Sequence, residues 1–182
     1  MEAIRDLFER HGRRDYIGEE GISQLDHALQ CAARAEAAGE APALIVACLC
    51  HDVGHLLAFT GQKVELMGRY GVCQHELLGA AWLREQGFGL SVTAPVGNHV
   101  MVKRYKARDP AYVAGLSPAS RRTLKYQGGP LTAAHATEFA RDPHFAESCR
   151  LREYDNAAKV PGASTPPLTH FLDLVKQILA QK

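Results

Sequence analysis

The apolar run ALIVACLC at residues 43–50 leads straight into HDVGH at residues 51–55. The run reads as the buried face of a helix, with Pro42 well placed in its first turn. Placing His51, Asp52 and His55 beside Val46, Leu49 and Val53 is expensive, because an isolated buried charge is tolerated only when it is paired or bound to a metal. Taken singly, each of these residues reads as a hydrogen-bonded core group. The adjacent His-Asp pair, however, recurs with other histidines in similar apolar company.

The rest of the chain is punctuated as helices. Ser23 followed by Asp26 caps a helix running to about Glu36, and Gly39 stops it. One continuous helix is expected over residues 43–57, a third over 74–86 closed by Gly87, and a fourth over 93–105 entered through Pro95. Ser117 as N-cap and Pro118 behind it open another helix, with Gly128 as terminator. A charged helix covers residues 144–159. The stretch VPGASTPP, residues 160–167, is a linker to a last amphipathic helix whose apolar side carries Leu168, Phe171, Leu172, Val175, Ile178 and Leu179. Strand-like alternation is essentially absent, so the expected fold class is all-α.

Composition narrows the partners. At 182 residues the chain is long enough for one domain with a substantial core. The formal net charge of +1, from 21 basic and 20 acidic residues, gives no support for a nucleic-acid or membrane-surface role. No apolar run approaches the roughly 18–20 residues needed to span a bilayer, and the first residues lack a signal-peptide core. The five cysteines form no C-x-x-C pair and read as reduced thiols, which places the expected protein in the cytoplasm.

His27 lies between Leu25 and Ala28, His75 opens QHELLGAAW, His99 sits among Val96, Val100 and Met101, and Asp155 lies in RLREYDNAA. With His51 and Asp52 they form a set of four histidines and two aspartates spread over five expected helices. Imidazole nitrogens and carboxylate oxygens suit first-row transition metals, and the lack of thiolates argues against a structural zinc site. An aspartate next to a ligating histidine has two oxygens and can bridge two metals, with the remaining ligands divided into two sets.

The order His27, His51-Asp52, His75, His99, Asp155 resembles the HD-domain superfamily in its dinuclear form. Metal-dependent phosphohydrolases and mixed-valent di-iron oxygenases both fit that order. DYIGEEGISQLDHALQCA, HDVGHLL, LSPASRRTLKYQGGP and RLREYDNAAK resemble the oxygenases that act on 2-amino-1-hydroxyethylphosphonate and on its trimethylammonium analogue. The resemblance covers residues 15–159. It implies a single HD-type domain over residues 1–182 with its core at about 15–159, the linker at 160–167 and a terminal helix at 168–181. It also implies two Fe ions, Fe(II)/Fe(III), with O2 as co-substrate. One iron takes His27, His51, Asp52 and Asp155; the other takes His75, His99 and the shared Asp52.

By the same resemblance Tyr16 occupies the open iron position until substrate arrives, Glu19 receives the substrate's ammonium end, and His55 is a non-ligand histidine beside the substrate. Lys103 and Arg152 match the cations that hold the phosphonate, a dianion suited to a bidentate guanidinium and a point-charge ammonium. Ser120 and Thr123 add hydroxyl donors. From spacing alone these are a loop tyrosine, a solvated acid, a core histidine and helix-surface polar groups, and Gln127-Gly128-Gly129-Pro130 is a helix stop without chemistry.

The implied reaction is O2-dependent oxidative cleavage of a carbon–phosphorus bond in a small organophosphonate. It would give phosphate and glycine from the primary amine, or glycine betaine from the trimethylated compound. A quaternary ammonium prefers an aromatic enclosure, for which Tyr16, Phe59, Trp82 and Tyr105 are candidates without an evident cage; the primary amine is the expected substrate. The alternatives are a phosphohydrolase whose metals activate water and a catalytically silent ligand-binding domain. Oligomeric state is not legible.

Overall fold

The computed structural model describes residues 1–16 and 21–180. These form eleven α-helices, and the described residues contain no β-strand, only two isolated bridges. In chain order α1 spans Glu2–His11, α2 Gln24–Ala37, α3 Pro42–Cys50, α4 Val53–Leu57, α5 His75–Glu85 and α6 Leu90–Lys106. After these come α7 over Pro110–Gly115, α8 over Pro118–Tyr126, α9 over Ala133–Phe139, α10 over Phe145–Ala157 and α11 over Leu168–Ala180. The all-helical expectation therefore holds. No helix among the described residues is long and apolar enough to cross a membrane.

α3 is the centre. Every residue from Leu44 to Cys50 is buried, as required of a helix that is apolar on all sides. α2, α6, α10 and α11 pack around it, and α4 lies on α5. Ile4, Leu7 and Phe8 of α1 and Phe171, Leu172 and Val175 of α11 join this main core, which thus reaches beyond residues 15–159 at both ends. The smaller helices cover one end of α6 over two satellite clusters. One is Val102 with Leu131, Ala136 and Phe139; the other is Ala107 with Leu116 and Leu124.

The caps explain the boundaries. Ser23 and Asp26 form a reciprocal capping box on α2, while Gly39 and Gly128 take positive φ just past α2 and α8. Ser117 accepts from the Ser120 N–H, with Pro118 behind it. Two boundaries differ from expectation. α6 begins at Leu90, so Pro95 lies inside it instead of opening it. The helix expected over residues 43–57 is broken: His51 closes α3, and Asp52 adopts φ −103° and ψ 10° before α4 begins. That break turns Asp52 out of the helical path and aims its carboxylate sideways.

Gly54 shows how tightly α4 is set against α5. A Cβ built on Gly54 would lie 2.0 Å from the His75 carbonyl oxygen. Only glycine admits this approach, which brings the HDVGH segment and the first residue of α5 together.

Candidate metal centre and anion pocket

The break at Asp52 places its two oxygens between two pairs of histidines. Oδ2 lies 3.4 Å from His51 Nε2 and 3.7 Å from His27 Nε2. Oδ1 lies 3.3 Å from His75 Nε2 and 3.6 Å from His99 Nε2. Asp155 adds Oδ1 to the first pair, 3.3 Å from His27 Nε2 and 3.8 Å from His51 Nε2. His27, His51, His75, His99 and Asp155 are all buried.

The hydrogen bonds of the rings test whether metals fit. His51 Nδ1 donates to the Cys48 carbonyl at 2.8 Å, His99 Nδ1 to Val96 at 2.7 Å, and His27 Nδ1 to Ala158 at 2.7 Å. A carbonyl oxygen only accepts, so in each neutral ring the proton sits on Nδ1 and the Nε2 lone pair faces inward. Yet His27 and His51 bring their Nε2 atoms to 3.1 Å, and His75 and His99 do the same at 3.1 Å. Between His27 and His51, two inward lone pairs at that distance repel unless a proton or a metal cation lies beside both. Two sets of nitrogen and oxygen donors sharing one carboxylate fit two first-row metal ions, and the backbone carbonyls hold His27, His51 and His99 in the ligating tautomer.

Ligating carboxylates must be deprotonated. Burial alone would raise the Asp52 carboxyl, but His51 and then His75 hold it well below the usual range. At Asp155 the burial cost is overcome by Arg152, Lys159 and His27. His99, buried and next to His75, is pushed down to about 3, which keeps its ring neutral.

His55 stacks on His75, with ring centroids 3.9 Å apart. Its Nδ1 accepts the Val72 N–H at 3.1 Å, so the neutral ring carries its proton on Nε2 and offers a donor. Burial and His75 keep its pKa well below the ordinary value.

A pocket opens against the cluster, lined by His55, Asp52, His75, His99 and Asp155 on one side and by Lys103, Ser120, Thr123, Gln127, Arg152 and Lys159 on the other. Lys103 Nζ donates to Thr123 Oγ1 at 2.6 Å and Gln127 Oε1 at 2.9 Å. Burial and the neighbouring Arg152 push its pKa down to about 6. An incoming dianion reverses that balance. Binding of a small dianion, at a pH where that ligand is already fully ionised, is therefore expected to draw a proton onto Lys103, measurable by calorimetry in buffers of different ionisation enthalpy; binding without proton uptake would remove Lys103 from the anion site.

No model of a known protein family matches the chain. The chain is 38% identical over 182 residues to an uncharacterized protein of Acanthamoeba polyphaga mimivirus, covering 100% of this chain and 82% of that one. It is 36% identical over 182 residues to the [1-hydroxy-2-(trimethylamino)ethyl]phosphonate dioxygenase (glycine-betaine-forming) of Leisingera caerulea, with 98% and 90% covered. To the hydroxymethylphosphonate dioxygenase of Gimesia maris it is 37% identical over 180 residues, with 97% and 87% covered. The chain belongs to this phosphonate dioxygenase family.

Within the framework of that family, the structure brings the six expected ligands into one cluster, and Asp52, His75, His99 and Asp155 line one pocket together with His55, Lys103, Arg152, Ser120 and Thr123. Tyr16 also lines it, its ring stacked 4.0 Å from that of His27. Glu19 lies outside the described residues. Of the other aromatic candidates, Phe59 and Trp82 line a separate groove beside α1, and Tyr105 packs on Phe139 and Phe145; only Tyr16 of the four reaches the pocket. Thr123 differs from expectation in detail, because its hydroxyl donates to the Ser120 carbonyl at 3.2 Å and accepts from Lys103. It orients the lysine rather than offering a free donor.

Several pocket residues escaped the sequence, Gln127, Lys159 and Tyr70 among them. Gln127, read as part of a helix stop, accepts from Lys103. Lys159 lies 3.9 Å from Asp155 Oδ1 and 3.5 Å from Ser120 Oγ; its i+4 spacing from Asp155 was the available signal. Tyr70 comes from the loop between α4 and α5 and carried no spacing signal.

Proposed function

We propose that the protein is an HD-type di-iron oxygenase that cleaves the carbon–phosphorus bond of a small 1-hydroxyphosphonate. Its expected substrate is 2-amino-1-hydroxyethylphosphonate, with phosphate and glycine as products. The observation that carries this reading is the shared Asp52 carboxylate, each oxygen facing one histidine pair, with a cationic pocket alongside. Both named relatives are phosphonate dioxygenases, which agrees with such a pairing of metals and anion site.

The reaction balances without an external reductant. R–CH(OH)–PO3H2 plus O2 gives R–COOH plus H3PO4: the C–P bond breaks, the carbon gives up four electrons and O2 accepts them. Bound in this cluster, a mixed-valent Fe(II)/Fe(III) pair supplies the activation of oxygen and the Lewis acidity toward the substrate's oxygens. The chain's own groups do the rest. Asp52 and Asp155 remain deprotonated ligands. Arg152 and Lys103 hold the phosphonate oxygens, with Ser120 adding a hydroxyl and Thr123 and Gln127 aiming Lys103. His55, with Nδ1 occupied by Val72, donates Nε2–H to a substrate oxygen and does not serve as the base. Tyr16 would occupy the open iron position until substrate arrives, and Glu19 would receive the substrate's ammonium end.

Arg152→Ala is expected to raise KM about 10- to 100-fold with a far smaller change in kcat, as for a lost hydrogen bond between charged groups. An unchanged KM would contradict its phosphonate role. The function itself is tested by comparing kcat/KM for the aminoethyl, trimethylaminoethyl and hydroxymethyl compounds in air, with a phosphate-ester panel run anaerobically. Preference for the primary amine supports the substrate assignment, and preference for either of the others moves it within the family. Turnover of the esters alone would mean a phosphohydrolase.

A further inference from the structure

α7 is six residues long and buries none of them fully. Its start is nevertheless well made, with Asp109 accepting from the Ala111 N–H at 2.8 Å and Pro110 at the first position. Tyr112 is its contribution to the interior. The ring packs with Val113 against Ala107, Leu116 and Leu124, and the hydroxyl emerges beside Arg152.

Arg152 is buried, and each part of its guanidinium has a distinct environment. Nε donates to Tyr112 Oη at 3.2 Å, and Nη1 donates to Asp155 Oδ2 at 2.5 Å. Nη2 is buried and has no partner among the described residues. The two filled contacts fix the plane of the fork. With Asp155 alone the group could still turn about a single contact; with Tyr112 as well, its remaining edge has one direction. Tyr112 Oη is itself braced by Asn156 Nδ2 at 3.3 Å. Asn156 follows Asp155 on α10, so the brace and the acidic contact rise from the same turn.

We infer that Tyr112, braced by Asn156, is a positioning residue that aims Arg152 Nη2 at the anion. The inference rests on the phosphonate reading of the pocket. Tyr112 touches neither the metal ligands' donor atoms nor the anion; it acts through Arg152. Loss of its hydroxyl leaves a buried charged N–H without an acceptor and frees the fork to rotate. Asn156 matters only through that hydroxyl.

The test is calorimetric binding of methylphosphonate, an unreactive dianion, to the metal-loaded protein. Tyr112→Phe keeps the ring and its packing, so folding is preserved; it should bind about tenfold more weakly, and kcat for the oxidised substrate should change far less than KM. Asn156→Ala should lose about two- to threefold, as for a neutral hydrogen bond. The double variant should be no weaker than Tyr112→Phe alone, because residues acting in series are not additive. Parental affinity in Tyr112→Phe, or strictly additive losses in the double variant, would overturn the inference while leaving the anion site intact. Failure of the parent protein to bind methylphosphonate would instead overturn the phosphonate reading beneath it.

Discussion

Replacing Asp52 with alanine is expected to strip the protein of both metal ions and to cut turnover below about one per cent, since loss of even an outer partner of a metal ligand costs about 10–100-fold. The reason is the division of its oxygens. Oδ2 serves the His27–His51 side and Oδ1 the His75–His99 side, so one truncation removes a ligand from each. His99→Ala should remove only one metal, because its Nε2 faces Oδ1 alone. The fold should survive Asp52→Ala. Asp52 stands at the N-cap of α4, yet its side chain makes no capping bond, so the helix does not depend on it. Metal analysis and far-UV circular dichroism of the two variants check this directly. Full metal content in Asp52→Ala would refute the bridging role.

Gly54→Ala is expected to be the most damaging glycine-to-alanine change among the described residues. The new Cβ would meet the His75 carbonyl oxygen at 2.0 Å and the His75 Cα at 3.0 Å. Neither obstacle is the end of a flexible side chain. α5 must move, carrying His75 away from His99 and Asp52. Overpacking of this kind costs roughly 1–3 kcal/mol, occasionally more, and this contact belongs at the upper end. The melting temperature should fall and the His75–His99 side should lose its metal first. Gly39→Ala is the control for stability alone: its φ of 74° strains a side chain, but nothing lies within 4 Å. A Gly54→Ala protein with parental stability and metal content would show that the close approach is unnecessary.

Much of this architecture was legible because local chemistry and tertiary structure agree. Ser23 with Asp26, Ser117 with Pro118, and Gly87 mark helix ends by bonds made within a few residues, and those ends were found. The cluster of four histidines and two aspartates was legible because such residues in apolar surroundings need partners. The break at His51–Asp52 was not, since neither proline nor glycine marks it; the geometry at Asp52 is imposed by the cluster it joins. α1 was missed although Ile4, Leu7 and Phe8 have helical spacing, because its charged residues of both signs were read only as the absence of a leader. Gln127 and Tyr112 were invisible for another reason. Their chemistry lies in partners, Lys103 and Arg152, that are 24 and 40 residues away, and no local pattern encodes such a pairing.

The central claim is that this cluster oxidises a carbon–phosphorus bond with oxygen. The measurement that tests it most directly is phosphate released from 2-amino-1-hydroxyethylphosphonate by the iron-loaded protein, followed alongside oxygen consumption. The account predicts one phosphate for each O2 consumed, none without oxygen and none after the iron is removed. Phosphate released at the same rate under anaerobic conditions would contradict it and make the cluster that of a hydrolase.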